Sequence, residues 1–107
     1  MNENKDILLK MLSDEPVLYE IIKSKEYLNV LEILEKDSYN FPILKSLLDK
    51  SIDIKKDVIL YNILDTLKDR DLIKKIDVNN GQMYFLTDKG KKLIKLYNQT
   101  KQEFNLI

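Results

Sequence analysis

The 107-residue chain contains no cysteine, histidine or tryptophan, and it has only two glycines and two prolines. Without cysteine and histidine it has no disulfide framework, no thiol nucleophile, no imidazole general base and none of the usual ligands of a zinc site. Enzyme chemistry would need carboxylate, lysine, tyrosine or hydroxyl groups in a cleft that so short a chain can hardly spare after building a core. We therefore expect a protein that is not an enzyme and holds no metal or cofactor.

Long hydrophobic runs are also missing. Hydrophobic residues make up 44% of the chain, which suffices for one compact core, but the longest apolar runs are about four residues. The N-terminal segment has acidic residues in its first turn and lacks the apolar stretch of an export signal. We expect a cytoplasmic protein with no membrane partner.

Charge is balanced overall but unevenly distributed. Basic and acidic residues number 18 each, yet residues 1–54 carry 7 basic and 11 acidic groups, whereas residues 55–107 carry 11 and 7. Seven lysines between Lys74 and Lys101 accompany only two aspartates. A lysine run is ordinarily a solvated surface, but here it makes the C-terminal half the better candidate for a polyanionic partner.

Helical periodicity dominates the first two thirds of the chain. Apolar pairs one turn apart predict short helices around residues 7–12, 17–22 and 43–48, and another helix after Ser24. Residues 37–40 are predicted to form a turn. A longer helix from about Lys55 to Arg70 has an apolar stripe with the spacing i, i+3, i+4, i+7, formed by Leu60, Ile63, Leu64 and Leu67.

After Arg70 the period changes from 3.6 to 2. Residues 72–78 and 83–86 are strand candidates, and Asn80-Gly81 between them is typical of a two-residue type I′ hairpin turn. That turn would place Val78 opposite Met83, Ile76 opposite Phe85 and Asp77 opposite Tyr84. Thr87 is then a candidate N-cap for a final helix.

The final helix has a seam with the spacing of a short coiled coil. Its residues recur three and four apart: Gly90, Leu93, Tyr97, Thr100, Phe104 and Ile107. This face needs a covering surface, which is either the chain's own first helix or a second copy of the molecule. We favour a homodimer, because a twofold dimer is the commonest solution for an exposed heptad stripe. The predicted dimer interface is Leu93, Tyr97, Thr100, Phe104 and Ile107.

The order of three helical segments, hairpin and helix resembles a winged helix-turn-helix domain from about Ser24 to Ile94. The most specific match is LKDRDLIKK (Leu67–Lys75) followed by YFLTDKGKKLI (Tyr84–Ile94). It is similar to the pattern LxxxGLI followed by YxLTxxGxxL in MarR, PadR and ArsR-type regulators, although Asp71 stands where that family often has glycine. The resemblance implies a mainly α fold with a two-stranded hairpin, extra N-terminal helices (1–23), a winged-helix domain (24–94) and a C-terminal dimerisation segment (95–107).

The resemblance also implies a sequence-specific DNA-binding transcription regulator whose recognition helix, about 55–70, enters the major groove while the wing, 72–86, lies on the backbone. Candidate contacts to double-stranded DNA are Lys45, Lys55, Lys56, Val58, Asn62, Lys74, Lys75, Asn79 and Asn80. Asp65 and Asp69 on the same helix would repel phosphates. The alternative is a winged-helix module for protein association without DNA binding, because Val58 and Ile59 could form an apolar outer face.

Overall fold

Six helices and a small antiparallel sheet form the described part of the chain. The computed structural model describes residues 3–48, 57–79 and 81–104, with side chains as far as Lys101. The elements are α1 (Glu3–Asp14), α2 (Val17–Lys23), α3 (Lys25–Lys36), β1 (Tyr39–Asn40), α4 (Phe41–Leu48), α5 (Asp57–Asp69), β2 (Ile73–Val78), β3 (Gly81–Leu86) and α6 (Asp88–Phe104). The prediction of a mainly α fold with a hairpin before the last helix is confirmed.

The predicted apolar stripes form the core. All four stripe residues of α5, Leu60, Ile63, Leu64 and Leu67, are buried. Helix α3 begins at Ser24, whose Oγ accepts a hydrogen bond from the backbone N–H of Tyr27 at 3.5 Å. The buried residues of α1, α3, α5, β3 and α6 belong to one continuous cluster. The N-terminal helices therefore share a core with the segment 24–94.

The sheet has three strands where two were predicted, in the order β1-β3-β2. Residues 37–40 were predicted to form a turn, but Tyr39 pairs with Tyr84 and Asn40 with Met83. A strand of two residues is too short to show a periodicity, so the pattern of the sequence could not predict it. Asn40 also begins α4, because its Oδ1 accepts a hydrogen bond from the N–H of Ile43 at 3.0 Å.

The predicted hairpin register is wrong by two residues. Val78 lies opposite Gly81 and Ile76 opposite Met83, so β2 ends at Val78 and Gly81, with φ 134°, begins β3. The observed register places Ile73 opposite Leu86, both buried, whereas the predicted one would have placed Lys75 there. Burial of this apolar pair therefore decides the register. Asn80 lies outside the described residues.

The α6 seam faces the chain's own helices. Helix α6 packs on α1 and α3, and Leu93 and Thr100 are 0% and 1% exposed. Tyr97 is half-buried against the same core. In this conformation Leu93 and Thr100 are covered by helices of the same chain, so their assignment to a dimer interface stays a prediction. The side chain of Phe104 and all of Ile107 lie outside the described residues.

Candidate nucleic-acid interface

The corner between α5 and β2 sets the direction in which the hairpin leaves the body. Asp71 has a left-handed φ of 60°, its N–H donates to the carbonyl of Lys68 at 2.9 Å, and the N–H of Leu72 donates to the carbonyl of Leu67 at 3.0 Å. This hydrogen-bond pair is the Schellman end of a helix, whose left-handed position is usually glycine. Asp71 therefore adopts the backbone conformation for which glycine is the ordinary residue.

Thr87 and Gly90 join the start of α6 to that corner. Thr87 Oγ1 donates to the carbonyl of Asp71 at 2.6 Å and accepts from the N–H of Gly90 at 3.0 Å, so one hydroxyl caps α6 and binds the corner. The Thr87 N–H donates to the carbonyl of Leu72 at 3.0 Å. A Cβ on Gly90 would lie 2.1 Å from that carbonyl oxygen. The LTDKG segment therefore has a structural role, which is to hold α5, the hairpin and α6 together.

The opening half of α5 has one face exposed to solvent. Val58 is 58% exposed, and Ile59, Tyr61 and Asn62 are exposed beside it. Asp65, in the second half, is also exposed. Because Leu60 and its stripe are buried, the helix presents a face of mixed apolar, amide and acidic groups to solvent. This is the outward arrangement predicted for Val58 and Asn62.

Lys45 is engaged in an ion pair. Its Nζ lies 2.6 Å from Oδ1 of Asp57, which joins the middle of α4 to the first residue of α5. Phe41 and Tyr61 stack between the same two helices with ring centroids 4.1 Å apart. These contacts fix the angle between α4 and α5. A phosphate contact by Lys45 would compete with Asp57. The sequence could not indicate this pair, because the two residues are twelve positions apart in the chain.

The two lysines of β2 lie on opposite faces of the hairpin. Lys74 is opposite Phe85 and Lys75 opposite Tyr84, and both lysines are exposed. Tyr84 is buried on the same face as Lys75, towards α5. Burial raises the pKa of Tyr84, and the nearby Tyr61 and Asp65 raise it further. Lys75 is thus the hairpin lysine that shares a face with the α5-facing tyrosine.

An open groove of about 600 Å³ separates the hairpin from α4 and α5. Its walls combine aromatic rings from both the helices and the hairpin with the polar Asp77 and Gln82. The lining residues are Asn40, Phe41, Pro42, Tyr61, Asp77, Val78, Gly81, Gln82 and Tyr84. Asp77 Oδ1 accepts a hydrogen bond from Gln82 Nε2 at 3.2 Å across the strands. Neither Phe41 nor Tyr61 was predicted to be a site residue, because their stacking is a tertiary contact that leaves no local pattern in the sequence.

Comparison with known proteins identifies the fold. No protein-family model matches the chain, and no curated protein matches it at a significant level. A solved structure of a PadR family transcription regulator from hypervirulent Clostridium difficile R20291 has a TM-score of 0.61 and 22% identity, covering 74% of this chain and 91% of that one. NadR in complex with 4-hydroxyphenylacetate has a TM-score of 0.61 and 18% identity over 92% of this chain, which spans 66% of the length of NadR. The chain has the winged-helix fold.

In the winged-helix fold of this chain, α5 is the helix that precedes the hairpin, and the β2–β3 hairpin is the wing. Asn79 is exposed at the tip of the wing. Three of the predicted DNA contacts, Lys55, Lys56 and Asn80, lie outside the described residues. Val58, Asn62, Lys74, Lys75 and Asn79 all reach solvent, and Lys45 is held by Asp57.

Lys89 connects the N-terminal helices to the corner between α5 and β2. Lys89 Nζ lies 2.6 Å from Glu15 Oε1 and donates to the carbonyl of Arg70 at 2.9 Å. Within the described ranges, no group of three or more carboxylates is placed to hold a metal ion. Nor is any helix in that part of the chain long and apolar enough to cross a membrane.

Proposed function

We propose that the protein is a sequence-specific DNA-binding transcription regulator that acts as a homodimer, with α5 in the major groove. The observation that carries this proposal is the exposed face of the opening half of α5, where Val58 and Asn62 reach solvent while the leucine stripe is buried. A helix held outward in this way is what a major groove admits. The likeness in fold to a PadR family transcription regulator supports the same function.

Base reading would come from α5. An exposed asparagine can make two hydrogen bonds to adenine, and an exposed valine can contact the methyl group of thymine. The described part of α5 contains no arginine, the residue that most often reads guanine. Asn62 and Val58 therefore favour sites rich in A·T pairs.

Phosphate contacts would come from the wing and from Lys55 and Lys56. Lys75, on the face turned towards α5, is better placed for this than Lys74, which lies on the opposite face. Asp65 and Asp69 are exposed at the far half of α5 and would be held away from the phosphates. Because few cations of one subunit can converge on a duplex, useful affinity requires two subunits on two half-sites.

The test measures binding to duplexes selected from a random pool, at low and moderate salt. A dimer with about six phosphate contacts loses roughly 10³-fold in affinity between 50 and 200 mM salt. Asn62→Ala should relax the preference at one base pair by about 1–3 kcal/mol. Lys75→Ala should weaken all duplexes about equally. Gln99→Ala and Lys95→Ala, which remove the same groups from the exposed surface of α6, are the matched controls.

Protein association without DNA binding is the second candidate function. The exposed apolar residues Val58, Ile59 and Tyr61 continue into the groove beside Phe41, and Asp57 lies at the start of the same helix. Such a face suits the apolar centre of a protein interface. This function is favoured over DNA binding if no duplex is retarded in electrophoresis at micromolar protein, and if Asn62→Ala gives the same result as the natural chain.

A further inference from the structure

The β2 strand is an open edge of the sheet. In the order β1-β3-β2 it lies outermost, and no strand of the described ranges flanks its other side. It is six residues long, and Lys74 to Val78 are exposed in succession. Every second residue of such a strand directs its N–H and carbonyl away from its neighbour. These groups form a template to which another strand can pair.

An apolar row crosses the outer face of the wing towards this edge. Ile76 is 48% exposed and lies opposite the half-buried Met83, while Val78, two residues further, is 43% exposed. Edge strands are usually protected by lysine, and Lys74 and Lys75 fit that role when the strand is alone. Asp77 lies on the same face of β2 as Lys75. When a second copy of the strand pairs with β2, the lysine of one copy can therefore lie opposite the aspartate of the other.

The sequence of β2 is self-complementary in one antiparallel register. A twofold axis perpendicular to the sheet keeps each face on its own side, so residues of equal parity pair. In the register centred on Ile76, Ile76 lies opposite the partner's Ile76. Lys75 lies opposite the partner's Asp77, and the twofold axis repeats this pair on the other side of Ile76. Opposite charges in directly facing positions stabilise a sheet. Lys74 then faces the partner's Val78, beside the apolar row.

The neighbouring registers are not complementary. Centred on Lys75 or on Asp77, the strand would place like charges against each other at the axis, which is destabilising. Centring on Lys75 would also put the buried Ile73 opposite the partner's Asp77. Only the register centred on Ile76 has an apolar residue at the axis and an opposite-charge pair on each side of it.

We propose that two copies of this chain pair β2 to β2 in that register and form a continuous six-stranded sheet. The row of Met83 and Ile76 then runs uninterrupted across the axis into the same row of the second copy. The contact rests on the proposed function for its need of two subunits, and it uses a surface that α6 leaves free. Pairing places Lys75 opposite the partner's Asp77, so a phosphate contact by Lys75 would compete with that aspartate, as one by Lys45 would compete with Asp57. Its test is made without DNA, so failure of the contact and failure of DNA binding are separate results.

Cross-linking tests the register directly, because the natural chain has no cysteine. Ile76→Cys places two thiols in directly facing positions, within reach of a disulfide. Lys74→Cys is the matched control: the two copies of residue 74 would be offset by four residues, about 13 Å along the strands, which is too far. Under mild oxidation, Ile76→Cys should form a covalent dimer and Lys74→Cys should not. Equal cross-linking of both variants, or of neither, would overturn the proposal.

Charge reversal tests the ion pairs, with mass measured by sedimentation. Lys75→Asp and Asp77→Lys should each raise the dimer dissociation constant about 10-fold, since two facing attractive pairs become repulsive. The double variant restores opposite charges and should return the constant to that of the natural chain. Circular dichroism checks that every variant is folded. A natural chain that stays monomeric at about 1 mM, where even weak pairing is populated, or a double variant that is no better than the singles, would refute the pairing.

Discussion

Replacing Gly90 by alanine should destabilise the protein even though alanine is the better helix former. Within a helix the exchange by itself would gain about 1 kcal/mol. The added Cβ, however, would lie 2.1 Å from the carbonyl oxygen of Leu72 and 3.1 Å from its carbon. These are backbone atoms, so relief requires α6 to move away from the corner, which strains the 3.0 Å hydrogen bond from the Thr87 N–H to the same carbonyl.

The magnitude follows from these opposing terms. Overpacking costs about 1–3 kcal/mol and a weakened hydrogen bond about 1 kcal/mol, so after the gain in propensity we expect the free energy of unfolding to fall by about 2 kcal/mol. For a domain of this size the melting temperature would fall by about 8 °C. Urea unfolding followed by circular dichroism measures the change. Lys91→Ala, at the next position and exposed, is the control and should stay within about 0.5 kcal/mol of the natural chain. A Gly90→Ala variant as stable as Lys91→Ala would refute the close-contact argument.

Three other substitutions test contacts of the α5–β2 corner and of the hairpin. Thr87→Val should lower the free energy of unfolding by about 1–2 kcal/mol, because both hydrogen bonds of the hydroxyl are lost. Thr87→Ser keeps the hydroxyl and should retain most of the stability of the natural chain. Asp71→Gly should raise it by about 0.5–1 kcal/mol by relieving the left-handed φ of 60°; an unchanged or lower stability in urea unfolding would contradict that reason. Burial raises the pKa of Tyr84 from 10.0, so the folded chain holds that proton more tightly than the unfolded chain does. The associated stability is complete below about pH 10 and is lost as the pH rises through the folded pKa, and Tyr84→Phe should flatten the fall in an alkaline pH series.

The helices and their inward faces could be predicted because burial of a leucine stripe dominates local energetics. Each large aliphatic side chain in α5 contributes about 1.5–3 kcal/mol when it leaves water, so Leu60 to Leu67 allow one orientation only. That orientation also determined which α5 side chains reach solvent, and Val58 and Asn62 were placed correctly for this reason. Elements that do not bury a local apolar stripe were predicted less accurately. The two residues of β1 have no period, and the hairpin turn was set by the pairing of Ile73 with Leu86 rather than by Asn80-Gly81.

Tertiary contacts decided what spacing alone could not. A recurrence of three and four residues in α6 identifies a face that must be buried, but the same spacing serves a second copy and a helix of the same chain equally well. Here α1 and α3 cover Leu93 and Thr100, and Thr100 Oγ1 donates to the carbonyl of Leu96 at 2.7 Å, so its hydroxyl needs no partner outside the helix. Lys45 is a parallel case, since a lysine expected on phosphate lies 2.6 Å from Asp57. The periodic pattern thus predicts which side chains leave water, while their partners depend on residues distant in sequence. For the same reason, a free cation or a free strand edge could be identified only once the neighbouring elements had been placed.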